Sequence, residues 1–253
     1  METNLEIIKD LLTNKKYNEL KKILNELNSA DIPGILEEFD KEDVIRIFRL
    51  LSKEQAGEAF SYMESDMREK LLEDLTDREL KRVIDELFMD DTVDLIEEMP
   101  SNVVKRILKL VNKEDRKTIN ELLKYPEDSA GSIMTTEFID LKETMTAEQA
   151  LKRIRKIGTD SETIYTCYVL TEKRILKGII NIKDILIAPK EKLIKELMET
   201  NIISANTLED QEEVAKKFDK YDFYALPVVD NENRLVGIIT VDDAINVLQD
   251  EAQ

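Results

Sequence analysis

The stretch FMDDTVDLIEEM, residues 88–99, sets three carboxylates, Asp90, Asp91 and Asp94, at the opening of a helical pattern. Asp94 stands at i+4 from Asp90 and at i+3 from Asp91, so all three share one helix face. Their chemistry is restricted by what the chain lacks. It has no histidine and one cysteine, Cys167. Zinc sites built from His and Cys are therefore excluded, as are Ser/His/Asp and Cys/His nucleophile pairs. No glycine-rich phosphate loop is present, and nothing points to an enzyme. Oxygen ligation of hard cations by carboxylates stays open. The same acids also suit a helix start with no metal at all, through capping and the helix dipole. The two readings are compatible.

The rest of the composition narrows the partners. The formal net charge is −18, with 36% of residues charged and 42% hydrophobic. Nucleic-acid binding needs a basic face and is disfavoured. So is direct binding to anionic membrane surfaces, whereas cations are favoured. A length of 253 residues allows two or three domains. Cys167 lies in the apolar run IYTCYVL and reads as a buried small hydrophobe. One cysteine forms no internal disulfide, which fits a reducing compartment. No apolar run approaches the ~18–20 residues that cross a bilayer, and METNLEIIKDLL lacks the basic start and apolar core of a signal peptide. The expectation is a soluble cytoplasmic chain.

The elements that carry the aspartates follow a rhythm of twelve. Steps of twelve from Leu27 reach Phe39, Leu51, Met63, Leu75, Leu87, Met99, Val111 and Leu123, all apolar. Four residues before each stand Ile23, Ile35, Ile47, Ala59, Leu71, Val83, Leu95, Ile107 and Ile119. Each unit thus carries one apolar stripe of a short helix. Ser52 with Gln55 and Thr76 with Glu79 have capping-box spacing. Ser101 and Asn112 are further cap candidates, and Pro100 breaks the chain between two helices. Short helices that cannot bury their stripes alone must stack, so residues from about 20 to 125 predict a helical solenoid of unspecified hand. A coiled coil would show sevens without regular caps.

After YPED the texture changes to β-branched runs between helical patterns. GIINIKDIL (178–186) and GIITVDDAI (237–245) match each other. Each follows a strand and turn, TIYTCYVLTEKRILKGII and DFYALPVVDNENRLVGII, and each of those follows a helix, TAEQALKRIRKI and DQEEVAKKFDKY. A unit of about sixty residues, ordered strand, helix, strand, strand, helix, occurs twice. The fold class is α+β: an all-α solenoid, then a tandem β-α-β-β-α pair. The domains are expected at 1–128, 129–196 and 197–253.

The pair resembles the cystathionine-beta-synthase (CBS) domain, through IMTTEFIDL and LMETNIISA at the starts, YALPVVD in the middle and GIITVDD at the end. The first copy has CYVL in place of the usual Pro-Val-Val. YPEDSAGSIMTTEF (125–138), after a solenoid holding DDTVDLIEEMP, resembles the cytosolic part of MgtE-type magnesium channels. That resemblance implies a Mg²⁺-sensing regulatory region, homodimeric through its CBS domains. In the family, a linking helix and a transmembrane pore domain follow in the same chain, placing the region at the cytoplasmic face of the cell membrane. Here the sequence ends at Gln253, so it reads either as part of such a membrane protein or as a stand-alone sensor.

The resemblance also implies site residues. Asp91 matches an N-domain acid that meets the second CBS domain, and Asp243, beside Asp242, matches its partner. Asp90 and Asp94 flank Asp91. Asp222 matches a carboxylate near the CBS dimer contact, and Glu212 and Glu251 fall at further acidic positions. Asn246 departs from the Asp often found there, which lowers the charge of that place. Glu37, Glu38, Glu97 and Glu98 read as solvated surface. Many CBS pairs also hold an adenine nucleotide, ATP among them. Here Thr240 and Asp243 would hold the ribose and Phe223 would stack, while the first copy offers Asn181 and Asp184. With no ligand, Thr240 reads as the N-cap of the last helix. The alternatives to magnesium sensing are an adenine-nucleotide sensor and a protein-binding scaffold that uses the concave face of the solenoid.

Overall fold

The computed structural model describes residues 2–250. Contacts divide the chain into two compact units, one built on Met1–Leu87 and Asp91–Thr118, the other on Phe88–Asp90 and Ile119–Gln253.

The helical unit opens with α1 (Glu2–Thr13) and α2 (Tyr17–Leu24), then a 3₁₀ turn (Ser29–Asp31) running into α3 (Ile32–Leu36). It continues through α4 (Lys41–Leu50), α5 (Lys53–Ser61), α6 (Ser65–Asp74), α7 (Asp77–Ile84), α8 (Met89–Glu98), α9 (Ser101–Leu110) and α10 (Lys113–Leu122). From α4 onward every helix begins twelve residues after the last, as the apolar rhythm predicts. The stripe from Ile35 to Ile119 is buried at every step. Alternate helices pack on one another: α2 on α4 on α6, and α3 on α5 on α7 on α9. Two layers result, α2-α4-α6 and α3-α5-α7-α9, each helix in them packing on the next but one.

The caps follow the sequence with one exception. The Ser52 hydroxyl accepts from the Gln55 amide, Thr76 and Glu79 complete a capping box, and Asn112 accepts from the Glu114 and Asp115 amides. Ser101 is not a cap. Pro100, at φ −57° and ψ 148°, takes the N-cap position, so Ser101 becomes the first helical residue. Arginines tie the helices together. Arg49 Nε donates to Glu79 at 2.8 Å, Arg68 pairs with Glu98 at 2.7 Å, and Arg106 reaches both Asp77 at 2.6 Å and the Leu72 carbonyl at 2.8 Å. The Arg49 guanidinium holds the Glu79 carboxyl at about 2.

In the second unit the predicted repeat order appears twice. The first copy is β1 (Phe138–Leu141), α11 (Ala147–Ile157), β2 (Thr163–Leu170), β3 (Leu176–Asn181) and α12 (Ile182–Ile187). The second is β4 (Ala205–Asn206), α13 (Gln211–Tyr221), β5 (Ala225–Val229), β6 (Leu235–Thr240) and α14 (Val241–Asp250). Each sheet has three strands in sequence order, the first pair parallel and the second antiparallel. The registers are equivalent: Tyr168 pairs with Ile179 where Pro227 pairs with Ile238. Tyr168 therefore occupies the place of the proline. It is fully buried, its ring edge-on to Phe138 at 5.7 Å. Burial also pushes the Cys167 thiol up to about 12, which makes it an inert core residue.

The two copies exchange their leading segments. Thr135, ahead of the first copy, bonds through both its amide and carbonyl to Ile238 of the second, each at 2.9 Å. Glu199, ahead of the second copy, bonds in the same way to Ile179 of the first, at 2.8 and 3.0 Å. The turns are linked as well: the Leu176 amide donates to Asn233 and the Leu235 amide to Arg174, both turn residues having positive φ.

The crossing segments explain the two glycines of the repeat. A Cβ on Gly237 would stand 2.6 Å from the Thr135 carbonyl oxygen, and one on Gly178 would stand 3.0 Å from that of Glu199. Gly237→Ala is expected to cost about 1–3 kcal/mol in urea unfolding, because the backbone it strikes is held in a ladder. Gly34→Ala, in α3 with nothing within 4 Å, is expected to leave stability unchanged or raise it. A Gly237→Ala chain as stable as its parent contradicts the crossing.

Candidate functional site

The acids at 88–99 begin where the sequence places them. The helix α8 opens at Met89, so Asp90 and Asp91 occupy its first turn, where the macrodipole favours anions. Asp90 is buried, Asp91 half-buried and Asp94 exposed one turn later. Glu37, Glu38, Glu97 and Glu98 are exposed.

The second acidic place is the start of α14. Thr240 ends β6, and its hydroxyl donates to Asp243 Oδ2 at 2.5 Å, with its amide 3.4 Å from the same oxygen. This is the acid half of a capping box, as at Thr76 and Glu79, and Thr240 is buried. Asp242 and Asn246 are exposed beside it. Asp91 belongs to the helical unit and Asp243 to the CBS unit.

The remaining acids lie apart from these. Glu212 is in the first turn of α13, capped by Asp210, and sits 3.5 Å from Lys216. Asp222 ends α13 with left-handed backbone, φ 53° and ψ 42°, and is exposed. Glu251 lies outside the described residues. Among the described residues no three acidic or Cys side chains gather closely enough to cage a metal ion. The donors fit a hard cation in kind, being oxygen throughout, and in the one- or two-carboxylate form that Mg²⁺ accepts.

A cleft of about 210 Å³ opens between the two CBS copies. Asn181 and Asp184 line it from the first copy; Asp222, Phe223 and Tyr224 line it from the second. Thr166, Glu199 and Ile203 also line it. The structure thus brings Asp184 and Phe223 together but not Thr240 and Asp243. The register explains the split. Thr240 pairs with Ala225 as Asn181 pairs with Thr166, so Thr240 and Asp243 occupy the position in the second copy that Asn181 and Asp184 occupy in the first. Sequence reasoning missed Thr166, Glu199 and Tyr224. The aligned strand registers would have found Thr166; nothing in the sequence marks Glu199, which reaches the cleft only because its segment crosses to the other copy. Tyr224 is 67% exposed and lies 5.8 Å from the Tyr165 ring, an aromatic rim to the cleft.

The model of the MgtE intracellular N domain matches residues 27–128, and that of the CBS domain matches 130–191 and 194–250. The soluble part of a magnesium transporter superposes over 100% of both chains, with TM-score 0.92 and 30% identity. This chain belongs to the MgtE family. A second solved structure, the cytosolic domain of the Mg²⁺ channel MgtE in complex with ATP, covers 95% of this chain and 98% of its own, with TM-score 0.90 and 34% identity. The magnesium transporter MgtE of Thermus thermophilus is 34% identical over 92% of this chain and 52% of its own length. That of Bacillus subtilis is 30% identical over 96% and 54%. The chain therefore spans about half the length of the curated relatives it matches. Among the described residues of this MgtE-family chain, no helix is long and apolar enough to cross a membrane.

Proposed function

We propose that this chain is the magnesium-sensing regulatory region of a transporter, non-catalytic, followed in its full-length protein by a transmembrane pore domain and working at the cytoplasmic face of the membrane. The observation that carries this reading is the end-to-end likeness to the soluble part of a magnesium transporter. The domain limits are proposed at 1–128, 129–196 and 197–253. The dimer is proposed to form through the CBS copies. Leu186 and Ile187 on α12 and Ile245 and Leu248 on α14 support it, because all four are exposed and apolar.

Mg²⁺ is proposed to act between Asp91 and Asp243, with Asp90, Asp94 and Asp242 adjoining, and at further places near Asp222, Glu212 and Glu251. Two carboxylates about 5 Å apart repel by about 3 kcal/mol at an effective dielectric near 20. A divalent cation reverses that sign. Several such pairs make a two-state element that opens in low magnesium and closes in high, and closure gates the pore. Sites with few carboxylates and retained water bind weakly, which suits a sensor of an abundant ion.

Small-angle scattering is expected to show compaction from zero to 20 mM Mg²⁺ beside a monovalent control of matched ionic strength. Asp91→Ala with Asp243→Ala is expected to weaken that compaction severalfold, with metal-free stability lowered only by the lost helix-start contacts, about 1 kcal/mol each. No Mg²⁺-specific change in the parent chain overturns the reading.

The cleft favours a second, compatible reading. Asn181 and Asp184 face Phe223 across a space of nucleoside scale, and a relative of the same fold is described in complex with ATP. An adenine nucleotide is proposed to stack on Phe223 with its ribose against Asp184. Calorimetry with ATP, ADP and AMP is expected to give heat that Phe223→Ala reduces at least tenfold in affinity. Absence of heat with all three removes this reading and leaves the magnesium reading standing.

A further inference from the structure

A departure from the acidic character of the chain lies on the outer face of α7 and α9. These helices pack side by side in one layer of the solenoid. Leu80, Val83 and Ile84 of α7 point inward, as do Val103 and Ile107 of α9. Arg78, Lys81 and Arg82 share the opposite face of α7, and Lys105 and Lys109 share that of α9. All five are exposed. The nearby acids are already engaged: Asp85 by Lys81 at 2.7 Å, and Asp77 by Arg106 at 2.6 Å. Arg78, Arg82, Lys105 and Lys109 have no acid partner among the described residues. Four uncompensated cations therefore stand on one face of a chain whose net charge is −18.

We propose that this face docks onto an anionic lipid headgroup layer. Charge complementarity requires an anionic partner, and the texture of the face selects among anions. No large apolar side chain of α7 or α9 is exposed, so the face lacks the aromatic and aliphatic anchors that pack into the centre of a protein interface. It fits a diffuse surface read by charge alone, as basic segments read the cytoplasmic leaflet. The distant carboxylates do not cancel it, because fields decay over about 8–10 Å at physiological salt. The inference rests on the proposed function in one respect, that the chain works beside a bilayer.

The test is flotation of the full chain, in metal-free buffer with 100 mM salt, with vesicles of phosphatidylcholine alone or with 40% phosphatidylglycerol. Binding is expected to be severalfold higher on the anionic vesicles and to vanish in 500 mM salt. Arg78→Glu, Arg82→Glu, Lys105→Glu and Lys109→Glu together are expected to reduce it to the phosphatidylcholine level. Lys21→Glu with Lys22→Glu, two exposed lysines on α2, is expected to leave it intact. If the fourfold variant melts early, the pairs Arg78→Gln with Arg82→Gln and Lys105→Gln with Lys109→Gln each carry the test, with partial loss expected. Equal binding to both vesicles, equal loss in the α2 control, or capture of polyglutamate but not of anionic vesicles overturns the proposal. None of these outcomes touches the compaction by Mg²⁺, which is read without lipid.

Discussion

A surplus of carboxylate conditions this molecule. Fifty-five acids face thirty-seven lysines and arginines, with no histidine to titrate between them. In the helical unit three arginines tie helices together: Arg49 to Glu79, Arg68 to Glu98 and Arg106 to Asp77. Acids gather at helix starts, where the dipole tolerates them, as in the first turns of α8, α13 and α14. A divalent ion acting at such a place offsets a repulsion that the fold leaves in being. The proposed switch follows from this imbalance more than from any single ligand set.

The CBS unit is held together by hydrogen bonds between its two copies. Its two sheets are small, three strands each. Exchange of the leading segments joins them, Thr135 to Ile238 and Glu199 to Ile179, and the linked turns at Arg174 and Asn233 close the other end. The cleft is a product of that exchange. Glu199 and Ile203 reach it from the crossing chain, while Asp184 and Phe223 come from different copies. Both copies therefore line the cleft.

Much of this was legible in the residues. The twelve-residue rhythm survives because every repeat from Ile35 to Ile119 buries the same stripe, and Ser52, Thr76 and Asn112 cap as their spacing predicts. Ser101 failed because Pro100 adopts the cap conformation itself and shifts the helix by one residue. The repeated glycines were visible, but their cause was not, since Met134 and Thr135 meet Gly237 across a hundred residues of chain. The cleft was half legible. Motif likeness named Asp184, Phe223, Thr240 and Asp243 as one set, whereas the pseudo-twofold arrangement of the copies separates them into two. That separation depends on which strand ends face which, a property of register and not of composition.

Mg²⁺ is proposed to act at the helix starts of α8 and α14 and not as general ionic screening. Amide hydrogen exchange of the full chain, in zero and 10 mM Mg²⁺ at matched ionic strength, tests it most directly. Slowed exchange is expected at residues 89–94 and 241–246, with the sheets unchanged. Uniform slowing across the chain, or none at those two helix starts, contradicts it.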